Sequence, residues 1–172
     1  RALGSGLDHN VYACVDLPNG DLLVGGRFVA AGNVPAQHLA RWDGNSWSEF
    51  GGGADNQVLA LRVLANGDVL AMGAFTSIGG VAAGGIARWN GSTWSAFGGI
   101  TLASFGDCFE LPNGELLVSG SMRLQLVDAL RAFARWDGTT WSYVNDSSGN
   151  PILGTGGAMA PLPGGQMLAC FT

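Results

Sequence analysis

The chain has 172 residues, 47% of them hydrophobic and only 12% charged, a balance that excludes a disordered polypeptide and predicts a folded core. The net charge is −5, and the eight basic residues are all Arg and scattered, so there is no basic stripe to neutralise a phosphate backbone and nucleic acid is not an expected partner. Gly, Asn and Asp interrupt every apolar segment within about ten residues, well short of the roughly 18 needed for a membrane span.

Glycine, at 29 residues, is far above its usual share of about 7% and follows no Gly-X-Y period, which predicts many tight turns. No segment keeps a helical i, i+3, i+4, i+7 apolar pattern over three turns. The expectation is an all-β chain. The opening "RALGSGLDHN" lacks the basic start and apolar middle of a signal peptide.

Taken in chain order, the first elements are four short apolar runs: 11–17 (VYACVDL), 21–28 (DLLVGGRF), 38–42 (HLARW) and 46–50 (SWSEF). They are joined by Asn19-Gly20, by a loop of about nine residues, and by Asp43-Gly44. Asn-Gly and Asp-Gly suit type I′ hairpin turns, in which both central residues have positive φ.

The same elements then return. "LPNGDLLVGG" at 17–26 matches "LANGDVLAMG" at 64–73 and "LPNGELLVSG" at 111–120, with an offset of 47 residues both times. "ARWDGNSW" at 40–47 returns with that offset as "ARWNGSTW" at 87–94 and "ARWDGTTW" at 134–141. A fourth copy starts at "LPGGQMLACF", 162–171, displaced by four extra residues in "NDSSGNPILGTGG". The second run of each repeat is apolar on both faces (Leu22-Leu23-Val24, Val69-Leu70-Ala71-Met72), whereas a sheet with one wet face alternates. Gly25, Gly26, Gly73 and Gly120 follow that run and allow backbones to pass closely. Four antiparallel strands per repeat of about 47 residues is the size of a β-propeller blade. The boundaries follow: 1–10 as the end of a preceding blade, 11–57, 58–104 and 105–155 as three blades, and 156–172 as the start of a fourth, all within one partial propeller domain.

The apolar strand, "LPNGDLLVGG", "ARWDG", the second Trp and "FGGG" together resemble bacterial β-propeller repeats with an I-A-R-W-D-G-x-x-W-x-x-L-G-x-G signature, distantly similar to WD-type and kelch repeats. The resemblance covers nearly the whole chain. It implies that the first run of each repeat is innermost and the "SWSEF" run outermost, and that the chain belongs to a larger secreted or surface-exposed protein. It implies no activity. The third repeat departs from the pattern: "LVDALRAF" at 126–133 replaces "GGVAAGGI" at 79–86, so a different loop shape is expected there.

The conspicuous side chains read first as structural. Trp42, Trp47, Trp89, Trp94, Trp136 and Trp141 recur at fixed positions, as inter-blade packing requires, although Trp also suits a sugar-stacking platform. Arg41, Arg88 and Arg135 precede the first Trp of each pair, and Asp21, Asp68 and Glu115 follow the Asn-Gly turn (Ala65-Asn66-Gly67 in the second repeat), a pattern expected to give ion pairs or guanidinium stacking on indole. The Asp-Gly-x-x-Trp string differs from the Asp-box of sialidase propellers, which has one residue between Asp and Gly. Cys14 and Cys108 fall at positions held elsewhere by Leu61 and Met159 and are therefore expected in the core; with Cys170 the cysteines are odd in number, and no disulfide or metal site is expected. His9 and His38 are isolated.

No Gly-x-Ser-x-Gly, His-Glu-x-x-His, phosphate loop or EF-hand loop occurs, so neither catalysis nor a cofactor is expected. The candidate ligand-binding residues are Asp8 and Asp55, equivalent carboxylates in loops entering the first strands, although Leu102 stands at the third position. The leading functional expectation is a non-enzymatic, extracellular scaffold or ligand-binding propeller segment, with a protein or glycan ligand, and with further blades or other copies of the chain as partners. The alternatives are a carbohydrate-binding propeller using loops 29–37, 76–85 and 123–132, and part of a propeller enzyme whose active site lies outside these residues.

Overall fold

The computed structural model describes residues 4–98, 100–124, 129–150, 152, 153, 155–161 and 167–171. The turn of the fourth copy at 162–166 and the centre of the 123–132 loop, 125–128, lie outside the described residues, as does the Cys170 side chain. Among the described residues there is no helix, and the chain divides into two compact units, Arg1–Phe97 and Gly98–Thr172.

The first unit holds two four-stranded antiparallel sheets. The first sheet is β1 (Val11–Asp16), β2 (Leu22–Gly26), β5 (Leu39–Trp42) and β6 (Trp47–Glu49), in that spatial order. The second repeats it with β7 (Val58–Val63), β8 (Val69–Gly73), β11 (Ile86–Trp89) and β12 (Trp94–Ala96). Each sheet thus follows chain order, because every connection is a hairpin or a short excursion. The nine-residue loops are more ordered than the sequence suggests: they contain two-residue strand pairs, β3 (Ala30–Ala31) with β4 (Val34–Pro35), and β9 (Ser77–Ile78) with β10 (Val81–Ala82).

The turns correct one expectation. Among the described residues His38 is the one non-glycine residue with positive φ, so Asn19, Asn66, Asn113, Asp43, Asn90 and Asp137 do not adopt the type I′ conformation. At 17–20 the Gly20 amide donates to the Leu17 carbonyl at 2.9 Å, and only Gly20 is left-handed. The same hydrogen bond closes Leu64–Gly67, where Ala65 replaces the proline, so the common cause is the turn asparagine: Asn19 and Asn66 accept the Asp21 and Asp68 amides at 3.2 and 3.1 Å, and Pro18 only reinforces the negative φ. At 43–46 Asp43 sits outside the left-handed region and accepts the Asn45 and Ser46 amides at 2.8 Å each, an Asx turn.

Burial of both faces follows from sheet stacking within this unit. One apolar cluster runs from Leu23 and Leu39 of the first sheet through Val58 and Leu61 to Val69, Ala71 and Ala87 of the second, with Phe75 and Ile78 from the second long loop. Gly25 lies against β7, so that a Cβ there would stand 2.7 Å from Val58 Cγ1. Gly26 and Gly73 have a different role. A Cβ on either would meet the carbonyl of Asn10 or Gln57 in its own sheet, where β1 and β7 each carry a bulge.

The second unit contains β13 (Thr101–Glu110), β14 (Leu116–Arg123), β15 (Arg131–Trp136) and β16 (Trp141–Tyr143) as a third four-stranded sheet, with β17 (Gly156–Pro161) pairing β18 (Met167–Phe171). β17 packs on the third sheet through Met159, Ala132 and Phe133. The departure seen in the sequence is visible here. β13 has 10 residues against six in β7, and β15 begins at Arg131, two residues earlier in the repeat than β11. Without the glycines of "GGVAAGGI", the strands extend instead of turning.

Candidate functional site

The repeated polar side chains assemble in the same way in all three sheets. After each Asn-Gly turn the acidic residue faces the Arg of the third strand. Arg88 binds Asp68 through both Nε and a terminal nitrogen, and Arg135 binds Glu115 at 2.8 Å. The turn asparagine orients the acid in the first two sheets, since Asn19 and Asn66 donate to Asp21 and Asp68 at 2.7 and 2.8 Å. The first sheet is looser. Arg41 Nε is 3.4 Å from Asp21, within ion-pair range but not aligned as a hydrogen bond, and this buried nitrogen has no hydrogen-bond partner.

The tryptophans pair across the outer hairpin, with ring centroids 5.1 Å apart for Trp42–Trp47 and 5.4 Å for both Trp89–Trp94 and Trp136–Trp141. Register causes this, because Trp42 is opposite Trp47, Trp89 opposite Trp94, and Trp136 opposite Trp141. Phe50, at the exit of the first sheet, lies 5.0 Å from Trp89 and 6.1 Å from Trp94, and so links one sheet to the next. Gly51 completes the contact: a Cβ there would fall on the Trp94 indole nitrogen. Phe50 and Gly51 belong to the "EFGGG" string, whose periodicity was visible in sequence but whose docking on the next Trp pair was not.

Asp8 and Asp55 are brought to equivalent places, yet both carboxylates are engaged by the chain itself. The Val29 and Ala30 amides donate to Asp8 at 3.0 and 3.1 Å. Asp55 accepts the Thr76 and Ser77 amides at 2.8 and 3.0 Å and the Thr76 hydroxyl at 2.5 Å. The Ala30 amide leads the effects that hold Asp8 below the ordinary carboxylate range. For Asp55 partial burial pushes upward, but the Thr76 and Ser77 hydrogen bonds outweigh it and the net shift is downward. These residues tether the β3–β4 and β9–β10 pairs to the preceding segment, assisted by the bridges Leu7–Ala31 and Ala54–Ile78. Leu102 has no such task, because it lies within β13 opposite Met122.

Cys108, Leu61 and Met159 are buried as expected, whereas Cys14 is exposed and corrects that reading. The cause is directional. Leu61 lies on the β7 face packed on Gly25, while the corresponding face of β1 has no sheet against it among the described residues of this unit. His38 has φ 65°, at the repeat position of Gly85, and its Nδ1 is buried without a hydrogen-bond partner. Among the described residues no group of three or more His, Cys, Asp or Glu side chains gathers to hold a metal.

Two open clefts flank Trp89. One, of about 270 Å³, lies between the turn end of the first sheet and the second sheet and is lined by Pro18, Asn19, Arg41, Phe50 and Trp89. The other, of about 400 Å³, is lined by Gly51, Val81, Trp89, Ser92, Thr93 and Trp94. Each combines an aromatic surface with a few polar groups, the usual composition of a small-molecule site. In the second cleft Ser92 and Thr93 are already bonded to Asn90, whereas the first cleft has Arg41 as a charged donor in its lining.

No family model matches the chain, and no curated protein does. Among solved structures the chain is similar in fold to the extracellular domain of a protein described as a hybrid two component system of B. thetaiotaomicron, with 12% sequence identity and a TM-score of 0.62. That match covers 96% of this chain and 21% of the other, so the chain spans about a fifth of the neighbour's length.

Proposed function

We propose that this chain is a segment of a β-propeller in an extracellular or surface-exposed protein, and that it works as a non-enzymatic scaffold and ligand-binding module. The observation that carries this reading is the use of the recurrent polar and aromatic side chains. Arg88 and Arg135 neutralise acids, Asp8 and Asp55 hold loops, and each Trp pair closes a hairpin. None of these residues is arranged as a nucleophile with a base. Stacked four-stranded sheets of one repeat size support a propeller, which closes with about four to eight blades. The extracellular fold neighbour supports the location, as an argument from fold alone.

The test is direct. Protease shaving of intact cells should release peptides of this chain, and projection images of the purified natural polypeptide should show a closed ring of sheets. Turnover of a glycan or ester substrate by the pure protein, abolished by one point substitution in this chain, would overturn the non-enzymatic reading. The second reading, a carbohydrate-binding propeller, is favoured by one specific feature: Trp89 is only half-buried and borders both clefts.

A further inference from the structure

The Arg41–Asp21 pair is the exception in an otherwise uniform lattice. In the second sheet one Asp68 oxygen binds Arg88 through two nitrogens, and in the third Glu115 holds Arg135 at 2.8 Å. Arg41 has only the 3.4 Å contact, with 40% of its side chain exposed beside the 270 Å³ cleft. A guanidinium carries five N–H donors in a rigid fork, so most of the hydrogen-bonding capacity of Arg41 remains unused. The same cleft is lined by Trp89, which is half-buried with Phe50 packed against it at a centroid distance of 5.0 Å, and by Pro18.

A ring that is apolar on one face and rich in hydroxyls at its edge suits Trp89 and Arg41 at once. Aromatic faces take the C–H face, and the fork takes hydroxyl oxygens. Charge decides which such ring. Asp21 lies 3.4 Å from Arg41, and Asp43 is within electrostatic reach of it. The chain as a whole is at −5. An acidic ring would therefore approach a guanidinium already flanked by two carboxylates in a chain of net negative charge, whereas a neutral polyol meets no such repulsion. The volume, about 270 Å³, is just below the roughly 300–1,000 Å³ of ligand pockets and suits one ring of a chain that continues into solvent.

We propose that the cleft between Arg41 and Trp89 is a binding subsite for one neutral pyranose ring of an extended saccharide. This deepens the ligand-binding reading given above and rests on it. It places the site at the turn end of the first sheet, rather than in the 29–37, 76–85 and 123–132 loops named for the carbohydrate-binding alternative.

The experiment titrates the full chain with neutral trisaccharides built from glucose, mannose and galactose, and with trigalacturonate, while tryptophan fluorescence and calorimetry are recorded. Saturable binding of at least one neutral trisaccharide is expected, with a Kd on the order of 1 mM as fits a single shallow subsite. Arg41→Ala should weaken it about tenfold or more, and Arg41→Lys, which keeps the charge but loses the fork, should weaken it severalfold. Arg27→Ala, on the exposed surface, should leave it unchanged. If Arg41→Ala does not fold, as judged by circular dichroism, Arg41→Lys decides the matter. No neutral trisaccharide bound at about 10 mM, preferential binding of trigalacturonate, or binding indifferent to Arg41 would each overturn the proposal. Those outcomes leave the location and ring assembly of the propeller reading standing, since cell shaving and imaging test them separately.

Discussion

Gly25 and Val58 touch across the interface between the first two sheets so closely that a Cβ on Gly25 would lie 2.7 Å from Val58 Cγ1 and 3.3 Å from Leu61 Cδ1. Val58 is fully buried and its β-branched side chain has no free direction in which to retreat. Gly25→Ala is therefore expected to destabilise the first unit by about 1–3 kcal/mol, the usual cost of overpacking. Gly98→Ala is the control, since a Cβ there meets nothing within 4 Å, and its effect should stay within about 0.5 kcal/mol. Urea unfolding of the two variants checks both numbers.

Trp94 is 6% exposed and is contacted by Phe50 and Trp89. Trp94→Ala removes the ring that joins the exit of one sheet to the hairpin of the next and should cost about 3–5 kcal/mol, as large aromatic truncations do. Calorimetric unfolding should show the transition of the first unit lowered or lost.

The two ion pairs of the first unit should differ in strength. Asp68 is 8% exposed and receives Arg88 and Asn66, so Asp68→Asn should destabilise by about 1–2 kcal/mol once the exposure of Arg88 is discounted. Asp21→Asn removes the 3.4 Å contact and weakens the local hydrogen bond from Asn19, and should cost less than about 1 kcal/mol. Equal effects in denaturant titrations would contradict the asymmetry on which the Arg41 proposal draws.

Acid should act through the loop tethers. Asp8, Asp43 and Asp55 have folded-state pKa values held below the ordinary 3.8, so their contribution is present above that value and is lost as pH falls through the lower, folded values. Stability should be flat with respect to these groups from neutrality to about pH 5 and decline below about pH 4. Asp55→Asn should be less stable at neutral pH and show a shallower decline, measured as the thermal midpoint against pH.

Cys14 and Cys108 occupy the same repeat position but opposite environments, one exposed and the other 1% exposed. A thiol reagent followed by peptide mapping should modify Cys14 in the isolated 172-residue chain within the mixing period of a neutral-pH reaction, and more slowly where a further blade covers β1. Cys108 should react only as the protein unfolds.

Much of the fold was legible because the repeat makes the local signals redundant. The offset of 47 residues, the Asn-Gly and Asp-Gly turns and the doubly apolar second strands locate the strands of the first two sheets to within one or two residues, whereas β13 of the third begins at Thr101, ahead of the expected 105. The Arg and acid pairing was legible for the same reason, since strand register brings residues 20 apart, such as Arg88 and Asp68, to one sheet. Turn type was not, because the side-chain acceptors of Asn19, Asn66 and Asp43 override the dipeptide preference. The fate of Asp8 and Asp55 was also hidden. A carboxylate awaiting a ligand and one filled by amides about 21 residues away look identical along the chain. Cys14 and Leu61 carry the same periodic signal, yet only packing against Gly25 separates a core position from a surface one. Periodicity sets the local structure, whereas burial and unused hydrogen-bonding capacity depend on what lies across the interface, and that is how Arg41 comes to differ from Arg88.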